Sequence, residues 1–83
     1  MRDDLSGLRA LLYVAEKRSF RAAAAELGVT PSAVSQIVRA LEDRVGVRLL
    51  QRTTRNVGLT EAGEHFIARL RPAFDGIDVA FES

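Results

Sequence analysis

There is no cysteine in this sequence and only one histidine. The first absence excludes disulfides, a thiol nucleophile and cysteine-based metal sites, and the second leaves no histidine cluster to hold a metal. No Gly-rich loop of the phosphate-cradling kind occurs, and no inward pair of carboxylates can be identified. No catalytic residue, metal or cofactor is therefore assigned, and an enzyme is the least favoured reading. No apolar run approaches the roughly 20 residues of a membrane-crossing helix. The opening residues MRDDLSG lack the apolar core of a secretion signal. An intracellular protein without a membrane partner is the default expectation. The chain is also short: 83 residues allow one small domain. Its core is limited, so pairing with a second copy is an expected source of stability.

Net charge is nearly lacking, at +1, yet the charges are unevenly placed. Residues 1–35 carry +1, residues 36–59 carry +3 and residues 60–83 carry −3. All the positive charge of the middle third is arginine, the side chain suited to bidentate recognition of phosphate and guanine. Local Arg–Glu pairing is the plainer explanation, and it is preferred for Arg44.

What is present is organised around Thr30–Gly46. Thr30 is a candidate N-cap, and Pro31 fits the first helical position, where a missing N–H costs nothing. Gly46 fits the left-handed position just past a helix end. Between them Val34, Ile37, Val38, Leu41 and Val45 recur at helical spacing as an apolar stripe. The opposite face carries Ser32, Ser35, Gln36, Arg39 and Asp43. Such a face can enter the major groove of DNA. From this helix alone a solvated polar face is the favoured explanation, and the flanking sequence must change that balance.

Upstream, Asp3 or Asp4 can cap a first helix with Leu5, Leu8, Leu11, Leu12 and Ala15 facing inward. Tyr13 and Val14 widen that face, and Gly7 weakens the first turn by up to roughly 1 kcal/mol relative to Ala. Ser19 can cap a short second helix, Phe20–Leu27, whose four alanines permit close approach of a neighbour. Gly28 stops it, and Val29 is expected to plug the angle before the Thr30 helix. Helix, three-residue turn and helix make a helix-turn-helix, with a generic helical hairpin as the alternative.

After Gly46 the period changes. Residues 47–52 and 57–59 read as two short strands around the polar turn 53–56. A basic hairpin at this place is a wing, its arginines beside a DNA backbone or in a minor groove; a solvated hairpin is the less favoured reading, because Arg52 and Arg55 are concentrated there with two Thr hydroxyls. Thr60 can cap a last helix of roughly 33 Å at about 1.5 Å per residue. Phe66, Leu70, Ala73 or Phe74, Ile77 and Phe81 form its stripe, and Pro72 is expected to kink it. A helix this long outruns the domain, so it is expected to pair with a second copy. His65 is expected to be an ordinary helix residue near the surface.

The run from Ser19 to Ser35, SFRAAAAELGVTPSAVS, resembles the N-terminal DNA-binding domain of LysR-type transcriptional regulators. So do ALEDRVGVRLLQRTTR and LTEAGE further on. The resemblance spans the whole chain. It implies a mainly α fold: a winged helix-turn-helix, with a three-helix core and two-stranded wing, in residues 1–59, and a linker/dimerisation helix in 60–83. It implies bacterial transcriptional control in the cytoplasm, at the nucleoid, through binding of an interrupted palindrome in double-stranded DNA. Family contacts carry over to Thr30, Pro31, Ser32, Ser35 and Gln36 as the groove-reading stretch, with Arg39 one turn further. Arg52, Thr54 and Arg55 match wing contacts, and Ser19 and Arg21 match phosphate contacts. Many relatives have Arg where this chain has Gln36; Gln prefers adenine and Arg guanine. Phe66, Leu70, Phe74, Ile77 and Phe81 are the expected homodimer contacts, with a tetramer an option for a longer parent protein. In the family the linker leads to an effector-binding domain, so this chain is expected to be the DNA-binding part of a longer regulator. A small-molecule effector would act only through that further domain. The competing reading is a winged-helix module that docks an acidic protein partner.

Overall fold

The computed structural model describes residues 4–52 and 57–82. The order is α1 (Asp4–Lys17), α2 (Phe20–Leu27), α3 (Pro31–Val45), β1 (Leu50–Arg52), β2 (Val57–Leu59) and α4 (Glu61–Glu82). Helices α1, α2 and α3 pack on one another, the β1–β2 hairpin follows α3, and α4 runs back along α1. This is a winged helix-turn-helix with a long final helix.

The helix boundaries follow from their caps. Ser19 sits in extended backbone, and its Oγ accepts the Ala22 N–H at 3.1 Å. Thr30 does the same for Ala33, also at 3.1 Å, with Pro31 in the first turn. Each cap satisfies one of the N–H groups a helix start leaves orphaned, a contribution of about 1 kcal/mol. Gly28 and Gly46 close α2 and α3 at φ of 72° and 90°. α1 ends differently: Arg18 takes the left-handed conformation at φ 52°, and its N–H donates to the Val14 carbonyl at 2.7 Å.

The core is centred on Ala10, Leu11, Val14, Ala23, Val34, Val38 and Leu49. Small residues make the tightest contacts. A Cβ on Gly7 would lie 3.7 Å from the Leu41 Cβ, so α1 approaches α3 closely there. The inward face of α1 therefore includes Gly7 and Ala10 beside Leu11, Leu12 and Val14, with Leu8 and Ala15 packed at its margin, whereas Leu5 is 49% exposed. Val29 is likewise exposed. It does not plug the turn, because the N–H groups of Gly28 and Val29 both reach the Ala24 carbonyl and close it through the backbone. Val45 also lies largely outside, past the last contact of α3 with the core.

β1 is shorter than the pattern 47–52 suggests. Val47 and Arg48 are exposed, and only Leu50, Gln51 and Arg52 pair, with Leu59, Gly58 and Val57 respectively, in antiparallel register. The approach to β1 is held from two sides. Glu42, 4% exposed, accepts the N–H groups of Leu49 and Leu50 on one oxygen, Oε2, at 2.8 and 3.0 Å. Thr60 donates its N–H to the Leu49 carbonyl at 3.1 Å and its hydroxyl to the Arg48 carbonyl at 2.7 Å. The same hydroxyl accepts from Gly63 N–H at 2.9 Å, capping α4. Gly63 is buried so close to this segment that a Cβ there would collide with the Leu49 carbonyl oxygen.

α4 continues through Pro72 without interruption. Its inner face buries Ile67 and Phe74. Phe74 is not part of a bare aromatic patch. It is 3% exposed, with the Arg9 guanidinium 4.6 Å from the ring centroid. Arg71 adds an ion pair with Glu16 at 3.0 Å. The Arg9 side chain covers apolar surface that would otherwise face water. Among the five stripe residues Phe66, Leu70 and Ile77 are half-buried, and Phe81 is 89% exposed.

Candidate nucleic-acid interface

α3 has two chemically distinct sides. Val34, Val38 and Leu41 point into the core, which turns Ser32, Gln36 and Arg39 outward at intervals of four and three residues. Pro31 is exposed and Ser35 is half-buried on the flank of this face. Side chains near the helix start are short or amide-bearing, so backbone and base edge can come close; one long cation follows a turn later. Thr30 gives its oxygen to the cap and keeps its O–H as a donor. Ser19 is in the same state at the start of α2.

A second group forms where α2 meets the wing. Arg21 is exposed in the first turn of α2. Arg52, at the end of β1, places its guanidinium over the ring of Phe20, 4.6 Å from the centroid. The fold thus brings Phe20 and Arg52 together, although 32 residues separate them in the chain; Ser19 and Arg21 are the chain neighbours of Phe20. Thr54 and Arg55 lie outside the described residues. Among the described residues Arg21, Arg39 and Arg52 form no ion pair. Lys17 and Arg71 do, with Glu26 at 3.5 Å and Glu16 at 3.0 Å. Arginines without an ion pair, one of them in the first turn of α2, present positive charge and N–H donors together, the combination a phosphate backbone requires.

Three residues that shape this interface carry no sequence signal of that role. These are Phe20, Glu42 and Gly63. Only a short donor segment facing Glu42, or a backbone crossing Gly63, reveals their function, and both are tertiary. No group of three or more acidic or histidine side chains suited to a metal occurs among the described residues. None of their helices is long and apolar enough to cross a membrane.

Residues 5–64 match the family model of the bacterial regulatory helix-turn-helix protein, lysR family. The HTH-type transcriptional regulator PgrR of Escherichia coli is 52% identical over 82 residues, which is 99% of this chain and 27% of that protein. A probable hydrogen peroxide-inducible genes activator of Mycobacterium leprae is 45% identical over 74 residues, 89% of this chain and 24% of that protein. Among solved structures, oxidized OxyR of Corynebacterium glutamicum superposes with a TM-score of 0.89 at 33% identity, over 99% of this chain and 26% of that one. The BenM DNA-binding domain in complex with benA site 1 DNA gives 0.87 at 29% identity, over 99% of this chain and 90% of that one. This chain spans about a quarter of the length of these curated relatives.

Proposed function

The chain belongs to the lysR family of bacterial regulatory helix-turn-helix proteins, and from that premise we propose that it is a sequence-specific DNA-binding domain that reads an interrupted palindrome as a homodimer. The observation that carries this is the outward face of α3, with Ser32, Gln36 and Arg39 exposed opposite a buried aliphatic side. In this reading residues 1–59 bind DNA and 60–83 pair the subunits. Ser35 and Gln36 read base edges, and Pro31 and Ser32 offer contact to a thymine methyl. Thr30 and Ser19 donate their hydroxyls, and Arg21, Arg39 and Arg52 neutralise phosphates. Arg55, with Thr54 beside it, enters a minor groove or lies on the backbone. The whole regulator acts in the cytoplasm, at the nucleoid. Its response to a small-molecule effector, and any tetramer, belong to a companion domain outside these residues.

Pairing is proposed through α4, with Phe81 and Ile77 as principal contacts and Phe66 and Leu70 at the edge. Phe74 supports the pairing surface from beneath. Two copies related by a two-fold axis would present two α3 helices about 34 Å apart, one turn of duplex.

Salt dependence tests the reading. If Arg21, Arg39, Arg52 and Arg55 each reach a phosphate, a dimer neutralises about 8, and log affinity falls with log salt at a slope near −7. A slope near zero refutes DNA binding and leaves the protein-docking module standing. Selection of bound duplexes from a random pool then yields the site and its half-site spacing.

A further inference from the structure

We propose that Phe20 is a positioning residue for DNA binding. Its ring holds the Arg52 guanidinium in place for a backbone phosphate that also faces the start of α2. The inference rests on the DNA-binding reading and goes beyond it, because Phe20 itself contacts no DNA in this scheme.

The argument begins with the cost of ordering an arginine. A free Arg side chain samples many rotamers, and fixing it on binding loses entropy that the contact must overcome. Arg52 stands on a three-residue strand at the edge of the protein, with no hydrogen bond or ion pair among the described residues to restrain it. Its restraint is the ring of Phe20, 4.6 Å away. A ring face is at most a weak acceptor, so the contact does not use up the guanidinium's hydrogen-bonding capacity and leaves donors available for a phosphate. It also places the charge against the first residue of α2. Phe20 itself cannot shift freely. It is the first residue of α2, directly after the Ser19 cap, and its half-buried ring packs against the core. The platform is therefore anchored by a capped helix, and the wing arginine inherits that rigidity. This explains why an aromatic residue sits half-exposed at a helix start where an aliphatic side chain would serve the core equally well.

A phosphate contact is independent of base sequence, so the test needs no target site. The 83-residue chain is titrated against a random-sequence duplex at moderate salt, with five proteins: the parent, Phe20→Leu, Phe20→Tyr, Arg52→Ala and the double variant of Phe20→Leu with Arg52→Ala. Arg52→Ala should weaken binding about tenfold and make the salt slope shallower by about one per subunit. Phe20→Leu should weaken it about three- to fivefold, the scale of an exposed cation–π contact, and Phe20→Tyr should restore it. The double variant should bind no more weakly than Arg52→Ala alone, because the ring acts only through the guanidinium. A ring that merely supports the fold would instead lower affinity by the same factor in both backgrounds, and that additivity overturns the inference. In the parent protein without DNA, the Arg52 side-chain protons should show upfield ring-current shifts that vanish in Phe20→Leu. Their absence in the parent overturns it independently of how stable the variants are. A parent that binds no duplex overturns the DNA-binding reading and this inference together. A parent that binds with the expected salt slope while Arg52→Ala has no effect overturns this inference alone.

Discussion

Replacing Glu42 by alanine is the sharpest test of how the wing is attached. Its carboxylate is 4% exposed, and one oxygen accepts two backbone N–H groups at 2.8 and 3.0 Å. A hydrogen bond to a charged acceptor contributes about 1.5–3 kcal/mol, so two represent about 3–6 kcal/mol before other terms. Removing the carboxylate also relieves the cost of burying it, which offsets part of this loss. The net destabilisation should be about 2–4 kcal/mol. Total stability for a domain of this size is about 4–12 kcal/mol at 0.05–0.15 kcal/mol per residue. The loss should therefore lower Tm by about 10–30 °C. Glu42→Gln separates geometry from charge. Its amide oxygen can accept both N–H groups as neutral bonds, so it should lose only about 1–2 kcal/mol. Urea unfolding followed by far-ultraviolet circular dichroism gives both values, with an unchanged m-value if only stability has altered. Amide exchange supplies the local check: protection of the Leu49 and Leu50 N–H groups should fall far more than that of Val34 or Val38. A loss below about 1 kcal/mol for Glu42→Ala, or a Gln variant as unstable as the Ala variant, would refute this account of the junction.

Gly63→Ala should destabilise by about 1–3 kcal/mol, because its Cβ meets a backbone carbonyl that cannot rotate away; thermal melts would show it. Gly7→Ala should do the opposite and stabilise by about 0.5–1 kcal/mol, since it gains helix propensity and its Cβ finds ordinary contact distance at Leu41. Gln36→Ala should leave Tm unchanged and relax base preference at one position per half-site, costing about 1–3 kcal/mol for the preferred base in a duplex-selection experiment. On α4, Phe81→Asp should turn a sedimenting dimer into a folded monomer, whereas Phe74→Asp should unfold the domain by placing a carboxylate in the core, a loss of about 3 kcal/mol or more. A Phe81→Asp protein that stays dimeric at tens of micromolar would show that the end of α4 is not the contact.

Local chemistry made much of the fold legible. Ser19, Gly28, Thr30, Pro31 and Gly46 each have a role decided within four residues of chain, and the helices begin and end where those roles place them. The outward face of α3 was legible for the same reason, since periodicity alone separates Val34 and Val38 from Ser32 and Gln36. Errors came where partners lie far apart in sequence. Counting large apolar residues put Leu5 inside and overlooked Gly7 and Ala10, because close helix packing selects for small side chains that a hydrophobic stripe does not register. Phe74 looked free on its own helix, and only the return of α4 along α1 brings Arg9 over it. The left-handed turn at Arg18 carries no glycine to announce it. At the interface, Arg52 was legible singly as a basic residue, but its contact with Phe20 depends on how far the hairpin folds back.

A separate set of contacts converges on three residues. Arg48, Leu49 and Leu50 receive Glu42 from α3 on one side, and on the other Thr60, which caps α4, and Gly63 from within it. The helix proposed to read DNA and the helix proposed to pair subunits share no extensive surface of their own. This short segment, together with the packing of both on α1, fixes the angle between them. In a two-fold dimer that angle sets the separation of the two α3 helices, and so the half-site spacing that can be occupied at once. A rigid junction makes spacing a selective property of the site. A loosened one lets each α3 helix keep its own half-site while the pair tolerates unequal separations, with affinity for the best palindrome falling as the effective concentration of the second contact falls. The buried carboxylate of Glu42 thus links domain stability to the geometry of the proposed DNA site, although it lies on the side of α3 turned away from the DNA.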